Sequence, residues 1–419
     1  MFSARGGFES TTISIVASQF ITSFINSDGD RYLIPSTVSN NYYLPTNGTS
    51  SISKLNILGA VQYQYAASDG TSTAFNVDGS ENVYVGGYSV YSNTVQFIKY
   101  NSNGTILWQA GFNSQAGYTV GSVVSIKTDS SNNVYVLYNG SKCFLAKYNS
   151  SGTLLSSKQL IYTGGTLTAL CINESSNKFI VASTYNNQIY NCVYALDTIS
   201  DGILLYQQPN SSYQYSSDSG PSNMVTNSTG SILYQISNKF TISTGVTTSV
   251  ITSINTSNGT MNYSKYITVN GYNIGLSGVA IDTGGYIYII GYAADTSGFV
   301  FIGKFVASTG AFVWGKTISN NSYFHNSGSI YWFNGYIYIG YIFSGGTSYN
   351  AHAKIKDDGS LVNGIYGIYT FTSVTATLTD FNSVTVGNTS YSSVAVSLAT
   401  TTPAYTRTTT TYTVNTVIL

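Results

Sequence analysis

The chain has 419 residues, only 8% of them charged, and its 16 basic and 16 acidic side chains cancel to a formal net charge of zero. That balance leaves no electrostatic footprint for nucleic acid or an anionic membrane. A 42% hydrophobic fraction with 38 tyrosines excludes a disordered chain. A surface so poor in charge is made of Ser, Thr, Asn, Gly and Tyr, and zero net charge favours association over free solution.

Residues 1–50 read as an amino-terminal arm holding Arg5, Arg31, Pro35 and Pro45. Its apolar segment ISIVASQFITSF is interrupted by Ser and Gln and alternates like a strand, so no secretory signal is expected. Thr12–Phe24 is expected to pair outside the main body. Asn26-Ser27-Asp28-Gly29-Asp30 places oxygens at alternate positions but lacks the Glu that closes a calcium loop. A plain Asp-Gly turn is the default there, and no metal site is assigned.

Residues 51–390 are organised by a repeat whose clearest copy is FNVDGSENVYVGGYSVYSNTVQFIKYNSNGTILWQAGF, Phe75 to Phe112. Period-two alternation bounded by Asn, Asp, Ser and Gly marks four short antiparallel strands. The turn glycines Gly59, Gly104, Gly152, Gly202, Gly259, Gly310 and Gly359 recur about every 50 residues, the spacing of β-propeller blades. A second series, Asp78, Asp129, Asn173, Asn227, Asp282, Asn334 and Asp380, opens the inner hairpins. The expected fold is all-β, a seven-bladed propeller of four-stranded antiparallel blades. An outer hairpin at Ile52–Tyr65 and an inner one at Ala376–Thr389 would form one closing blade shared between the termini. An eighth blade follows if Phe20–Val38 forms an inner hairpin of its own.

The units at 75–112, 123–158 and 277–317 resemble the SBBP-type β-propeller repeat, through Asp78, Asn82-Val83-Tyr84-Val85, Gly87-Tyr88, Lys99-Tyr100, Gly104 and Trp108. The pattern returns less fully in Asp282, Tyr286-Ile287-Tyr288, Gly291-Tyr292, Lys304-Phe305, Gly310 and Trp314. The units at 165–210 and 215–267 keep the spacing and lose most of the motif. The resemblance implies a propeller over most of residues 50–390 and an extracellular or surface setting, and is nearly silent about activity.

Residues 391–419 hold YSSVAVSLA, expected as the third strand of the closing blade, then a Thr-rich tail that alternates with Tyr, Val and Ile. Such a strand needs a partner edge. The amino-terminal arm and a neighbouring subunit are the two alternatives.

Candidate contact residues are few. Lys99, Lys147, Lys304 and Lys354, with Lys54, occupy equivalent repeat positions and would ring the propeller, either lining an anion or glycan site or covering neighbouring strands with their stems. Trp108 and Trp314 are expected to wedge between blades, whereas Trp332, in YWFNGYIYIG, stacks on a sugar or packs. Cys143, Cys171 and Cys192 are expected as free buried thiols, since Cys171 and Cys192 fall two strands apart, roughly 9–10 Å, beyond disulfide reach. His325 and His352 lack metal-ligand spacing, and no carboxylate pair suggests acid–base work. No catalytic residue or cofactor is expected. The reading is a non-enzymatic virion protein, of a bacteriophage tail, fibre or capsid decoration. It would bind other virion proteins and copies of itself through residues 1–50 and 400–419. Host surface glycan is a further candidate partner; nucleic acid and membrane insertion are not expected. The alternative is a secreted or cell-surface carbohydrate-binding propeller.

Overall fold

The computed structural model describes residues 20–25 and, apart from short connecting segments, 34–418. Among the described residues every regular element is a strand, and every pairing between strands is antiparallel. The clearest repeat folds as Thr71–Val77, Val83–Ser89, Thr94–Tyr100 and Ile106–Asn113, each paired with the next. Gly104, at φ 76°, makes the turn into the last strand. The same meander recurs along the chain, giving the propeller fold with four-stranded antiparallel blades.

Two irregularities recur in the meanders. Between first and second strands the register shifts at Ser72/Ala74, Val123/Ser125, Leu167/Ala169, Leu276/Gly278 and Ser327/Ser329. Between third and fourth strands it shifts next to the repeat lysine, at Lys54/Leu55, Lys99/Tyr100, Lys147/Tyr148 and Lys304/Phe305. Bulges increase local twist, which lets neighbouring sheets face each other at a constant angle. The core lies between sheets. Ala74, Tyr84 and Phe97 of one meander pack with Val123, Ile126, Val136 and Tyr148 of the next, all buried.

The strands divide into five five-stranded sheets and one of twelve strands, in which two meanders are linked through Thr268↔Asn273 and Val269↔Tyr272. The fifth strands come from the end of the chain. Tyr369–Val374 pairs with Phe312–Ser319, Ala376–Asp380 with Met261–Val269, and Val384–Ser390 with Asp201–Pro209. Ser393–Ala395 pairs with Leu154–Leu160, Thr400–Thr401 with Ile106–Asn113, and Arg407–Thr409 with Val61–Ala67. Finally Val414–Ile418 pairs with Phe20–Ile25. The carboxy-terminal segment is thus a belt that visits the outer edges in reverse chain order.

This belt corrects the expected closure. Ala376–Thr389 is not an inner hairpin: its two strands lie on the outer edges of two different sheets. Ser51–Leu55 finds its inner partner in Tyr42–Pro45, which pairs with Ile34–Pro35, so pairing runs continuously across residue 50. A sheet shared by both termini does exist, elsewhere: Ser348–Lys356 takes Phe20–Ile25, which takes Val414–Ile418. Phe20–Ile25 and Ile34–Pro35 enter different sheets, so they form no eighth inner hairpin. YSSVAVSLA contributes an added edge strand rather than the third strand of a closing blade. The physical reason is shared: alternation marks a residue run as a strand, but an outer edge accepts any such run with free N–H and C=O groups.

Candidate functional site: the repeat junctions and the central channel

The recurring polar residues of the repeat converge at the junctions between meanders. Asp78 opens an inner hairpin, and its Oδ1 accepts the backbone N–H groups of Ser80 and Asn82 at 2.9 and 2.8 Å. Its Oδ2 accepts Asn82 Nδ2 and the Tyr84 hydroxyl, both at 2.8 Å. Asp129 repeats this with Asn133 and Tyr135, and Asp282 with the Tyr286 N–H and Tyr288 hydroxyl. Burial, with the neighbouring Asp78 charge adding to it, pushes the Tyr84 phenol well above its ordinary range, so it stays a donor.

The ring lysines lie across these tyrosines. Lys99 Nζ is 5.2 Å from the Tyr84 ring centroid, Lys147 5.2 Å from Tyr135, and Lys304 4.4 Å from Tyr286. Each ammonium then reaches into the following meander. Lys54 donates to Ser102 O at 2.9 Å, Lys99 to Ser150 O at 3.1 Å, Lys147 to Leu196 O at 3.3 Å and Lys304 to Asp357 O at 3.2 Å. Lys354 reaches Tyr42 Oη at 3.0 Å, joining the end of the repeat array to its start. Lys54, Lys99 and Lys354 are buried, and burial lowers the Lys354 pKa to about 8. Their charges are directed to protein carbonyls, phenols and, for Lys54, the Glu81 carboxylate at 3.5 Å rather than to water.

Trp108 and Trp314 sit where a wedge between blades was expected. Trp108 Nε1 donates to Ser150 O and Trp314 Nε1 to Asp357 O, both at 3.0 Å, so each carbonyl serves a lysine and an indole together. The next turn glycine lies under the indole. Gly152 has φ +85°, and a Cβ there would sit 2.7 Å from Trp108; at Gly359, φ +76°, it would sit 2.9 Å from Trp314. Trp332 is half-buried, and its Nε1 donates to Asp357 Oδ2 at 2.6 Å.

The divergent units use amides instead. Asn173 replaces the hub aspartate and donates to Thr226 Oγ1 at 3.0 Å and Asn227 O at 2.9 Å. Asn191 Nδ2 donates to Gln235 Oε1 at 2.8 Å in a buried position. Lys178, on a second strand, reaches Thr256 Oγ1 at 3.2 Å, and Tyr263 donates to Ala307 O at 2.9 Å. Sequence reading missed Lys316, which is buried and donates to Leu361 O, to Asn363 Oδ1 at 3.2 Å and to Ser373 Oγ at 2.8 Å. It clasps the point where the chain leaves the ring to become the belt. No periodic counterpart marked it.

Cys143 and Cys171 are free thiols, Cys143 buried and Cys171 only partly so. The backbone register sets Cys171 opposite Ile180 and Cys192 opposite Val181, on strands flanking Lys178–Tyr185. Among the described residues no three of His, Cys, Asp and Glu gather into a metal-binding group, and no helix is long and apolar enough to cross a membrane. The Asn26–Asp30 turn lies outside the described residues.

First strands of five meanders line a half-open pocket of about 300 Å³ beside the hub turns. Val120–Thr128, Thr166–Asn173, Met224–Thr226, Tyr272–Ile281 and Phe324–Phe333 supply its wall, which includes Lys127, Cys171, Ile172, Val225, Ile281 and Trp332.

No protein-family model and no curated protein matches this chain. Solved structures do. The β-propeller domain of Cps50 (Swd1) from Myceliophteria thermophila is 10% identical with a TM-score of 0.52, covering 79% of this chain and 98% of that domain. The Dos1 propeller is 11% identical, TM-score 0.48, over 81% of this chain and 96% of its own. A Lactobacillus plantarum protein is 13% identical, TM-score 0.48, over 71% and 94%. At 10% identity the likeness to the Cps50 (Swd1) domain shows the propeller fold alone.

Proposed function

We propose that the chain is a non-enzymatic structural protein of a virion, such as a bacteriophage tail, fibre or capsid decoration. In this reading seven blades with SBBP-type repeats close one ring. Support for the count comes from the innermost strands, which pack in chain order from Ile34–Pro35 round to Phe324–Phe333 and back to Ile34–Pro35. The observation that carries the function is the belt. One strand added to each outer edge leaves the meanders' own edges covered, which suits a rigid module that meets its neighbours by faces and loops. The near-absence of charge, with zero net charge, suits a protein held among other copies and other virion proteins. Of the two alternatives for the tail, the amino-terminal arm and a neighbouring subunit, its last strand Val414–Ile418 takes the first, pairing with Phe20–Ile25 of the same chain.

Mass spectrometry of density-purified particles beside clarified supernatant tests the setting. Stoichiometric recovery with particles is expected; recovery only as free protein would overturn the reading and favour a secreted binding module. Deleting Thr400–Leu419 uncovers the edges of Ile106–Asn113, Val61–Ala67 and Phe20–Ile25. The truncated protein is expected to keep its sheet signature and lose particle incorporation. Normal incorporation would show that the belt has no part in assembly.

A further inference from the structure

Exposed aliphatic side chains recur at one position of the repeat. The residues two and three places after a turn glycine divide between core and surface, as alternation along a strand requires. The first turns inward: Ile106, Leu154 and Phe312 are half-buried, Leu361 is buried, and each packs into a core cluster. The second turns outward, and Leu107 is 50% exposed, Leu155 52%, Val313 45% and Val362 71%. The fold does not require an apolar residue there, because Gln62 and Asn262 hold the same place after Gly59 and Gly259 and are also exposed.

These outward residues gather in pairs about an indole. Trp108, half-buried, reaches from beside Leu107 to Ser150 O, and its ring lies over Gly152, three residues before Leu155. Trp314 does the same between Val313 and Val362, through Asp357 O and Gly359. Among the described residues two junctions thus carry one surface of aliphatic, indole and aliphatic side chains. Ile365, 75% exposed, lies three residues beyond Val362. The described belt strands stop short of both surfaces, reaching Gly111, Lys158 and Gly315 of the fourth strands. Apolar side chains scattered singly over a surface are ordinary, whereas matching groups mark contact sites.

Charge decides the partner. The stretches 101–109, 149–157 and 307–315 hold no charged residue. Near the second surface, Asp357 Oδ2 accepts the Trp332 indole N–H and Asp358 Oδ1 the Ser360 N–H. A strongly charged partner finds nothing to pair with here. A copy of this chain, 8% charged with zero net charge, brings the same uncharged surface without repulsion. We propose that the two junction surfaces are self-association sites, each meeting its like on a second copy about a two-fold axis. Contact there removes from water the aliphatic and indole area that a lone chain exposes. With two such surfaces one chain holds two neighbours, so assembly passes beyond a dimer.

This deepens, and in that sense rests on, the reading of a protein held among its own copies. The two fail separately: particle recovery tests the setting, and the purified full-length chain tests the surfaces. Sedimentation velocity is run from about 1 to 100 µM. The native protein is expected to grow past a dimer as concentration rises. Leu107→Asp with Leu155→Asp, or Val313→Asp with Val362→Asp, should stop growth at the dimer, and all four together should leave a monomer. Circular dichroism and melting check each fold. Where an aspartate variant does not fold, Leu→Gln at 107 and 155 and Val→Asn at 313 and 362 replace it, using the residue types already present at Gln62 and Asn262. A native chain still monomeric at about 100 µM would overturn the proposal and leave the surfaces to a different partner. A folded four-site variant that assembles like the native protein would overturn it as well.

Discussion

The consensus units and the divergent units at 165–210 and 215–267 build the same four-stranded sheet with different fasteners. At 75–112 the Asp78 carboxylate holds the Tyr84 hydroxyl while Lys99 and the Trp108 indole converge on Ser150 O of the next turn, and at 277–317 Lys304 and Trp314 converge likewise on Asp357 O. At 165–210 the hub is Asn173, and the contact across the junction is amide to hydroxyl and amide to carbonyl. The sheet therefore needs only alternation and turns. The motif residues decide how firmly one sheet holds the next, because a charge-assisted hydrogen bond is roughly twice as strong as a neutral one.

The largest difference between the two kinds of unit is expected at the turn glycines. Gly152→Ala combines a left-handed φ with a Cβ driven into a packed indole, and is expected to cost about 2–4 kcal/mol. Gly230→Ala, in a divergent unit, meets Ser176 Oγ and Cβ and Asn173 Cγ in a half-exposed turn, which can shift more readily than an indole, so about 1–2 kcal/mol is expected. Denaturant unfolding of both variants checks the order, and equal losses would refute it.

Next comes the hub. Asp78→Ala strands two backbone N–H groups, an amide and a buried phenol, for an expected loss of about 2–4 kcal/mol. Asn173→Ala should cost less, about 1–2 kcal/mol, since its amide carries no charge and its hydrogen bonds are neutral ones.

The sheet that joins both termini adds a pH dependence of its own. His352 lies on Ser348–Lys356, wholly buried between Gly340 and the amino-terminal Thr22 in register, and burial lowers its pKa to about 3. The folded value lies below the unfolded one, near 6.5, so this contribution is fully present above about pH 6.5 and is lost as pH falls toward 3. At pH 5 the loss should reach about 2 kcal/mol relative to pH 7. Melting of the native protein and of His352→Gln across that window measures it; an unchanged pH profile in the variant would show that other groups govern acid stability.

The smallest contrast is between lysines. Lys99→Met removes a buried ammonium from a carbonyl and a tyrosine face, with an expected loss of about 1–2 kcal/mol. Lys178→Met removes a half-buried ammonium from a hydroxyl, and less than about 1 kcal/mol is expected. Chemical denaturation of the pair, with the double-consensus junction Lys99/Trp108 as a mutant cycle, separates the two.

Much of this molecule could be read from local chemistry. Asp78-Gly79, Asn101-Gly104 and their repeats specify turns through side-chain acceptors and positive φ, and Val83-Tyr84-Val85 specifies a strand with two faces; both are properties of a few adjacent residues. Even the separation of Cys171 from Cys192 by one strand followed from counting turns. The lysines were visible as a series, but their targets were not, because Ser102, Ser150, Leu196 and Asp357 belong to the following unit and offer only a carbonyl oxygen, which every residue has. Lys127 and Lys316 carried no periodic signal at all.

Strand, turn and repeat are written locally in the residues, since alternation and turn geometry act within a few positions. Which edge each belt strand covers, which sheet the amino-terminal strand completes and where the pocket lies were decided only by the tertiary structure. Backbone N–H and C=O groups at an edge are alike in every sheet, and only the closed arrangement determines which edge lies within reach of which segment.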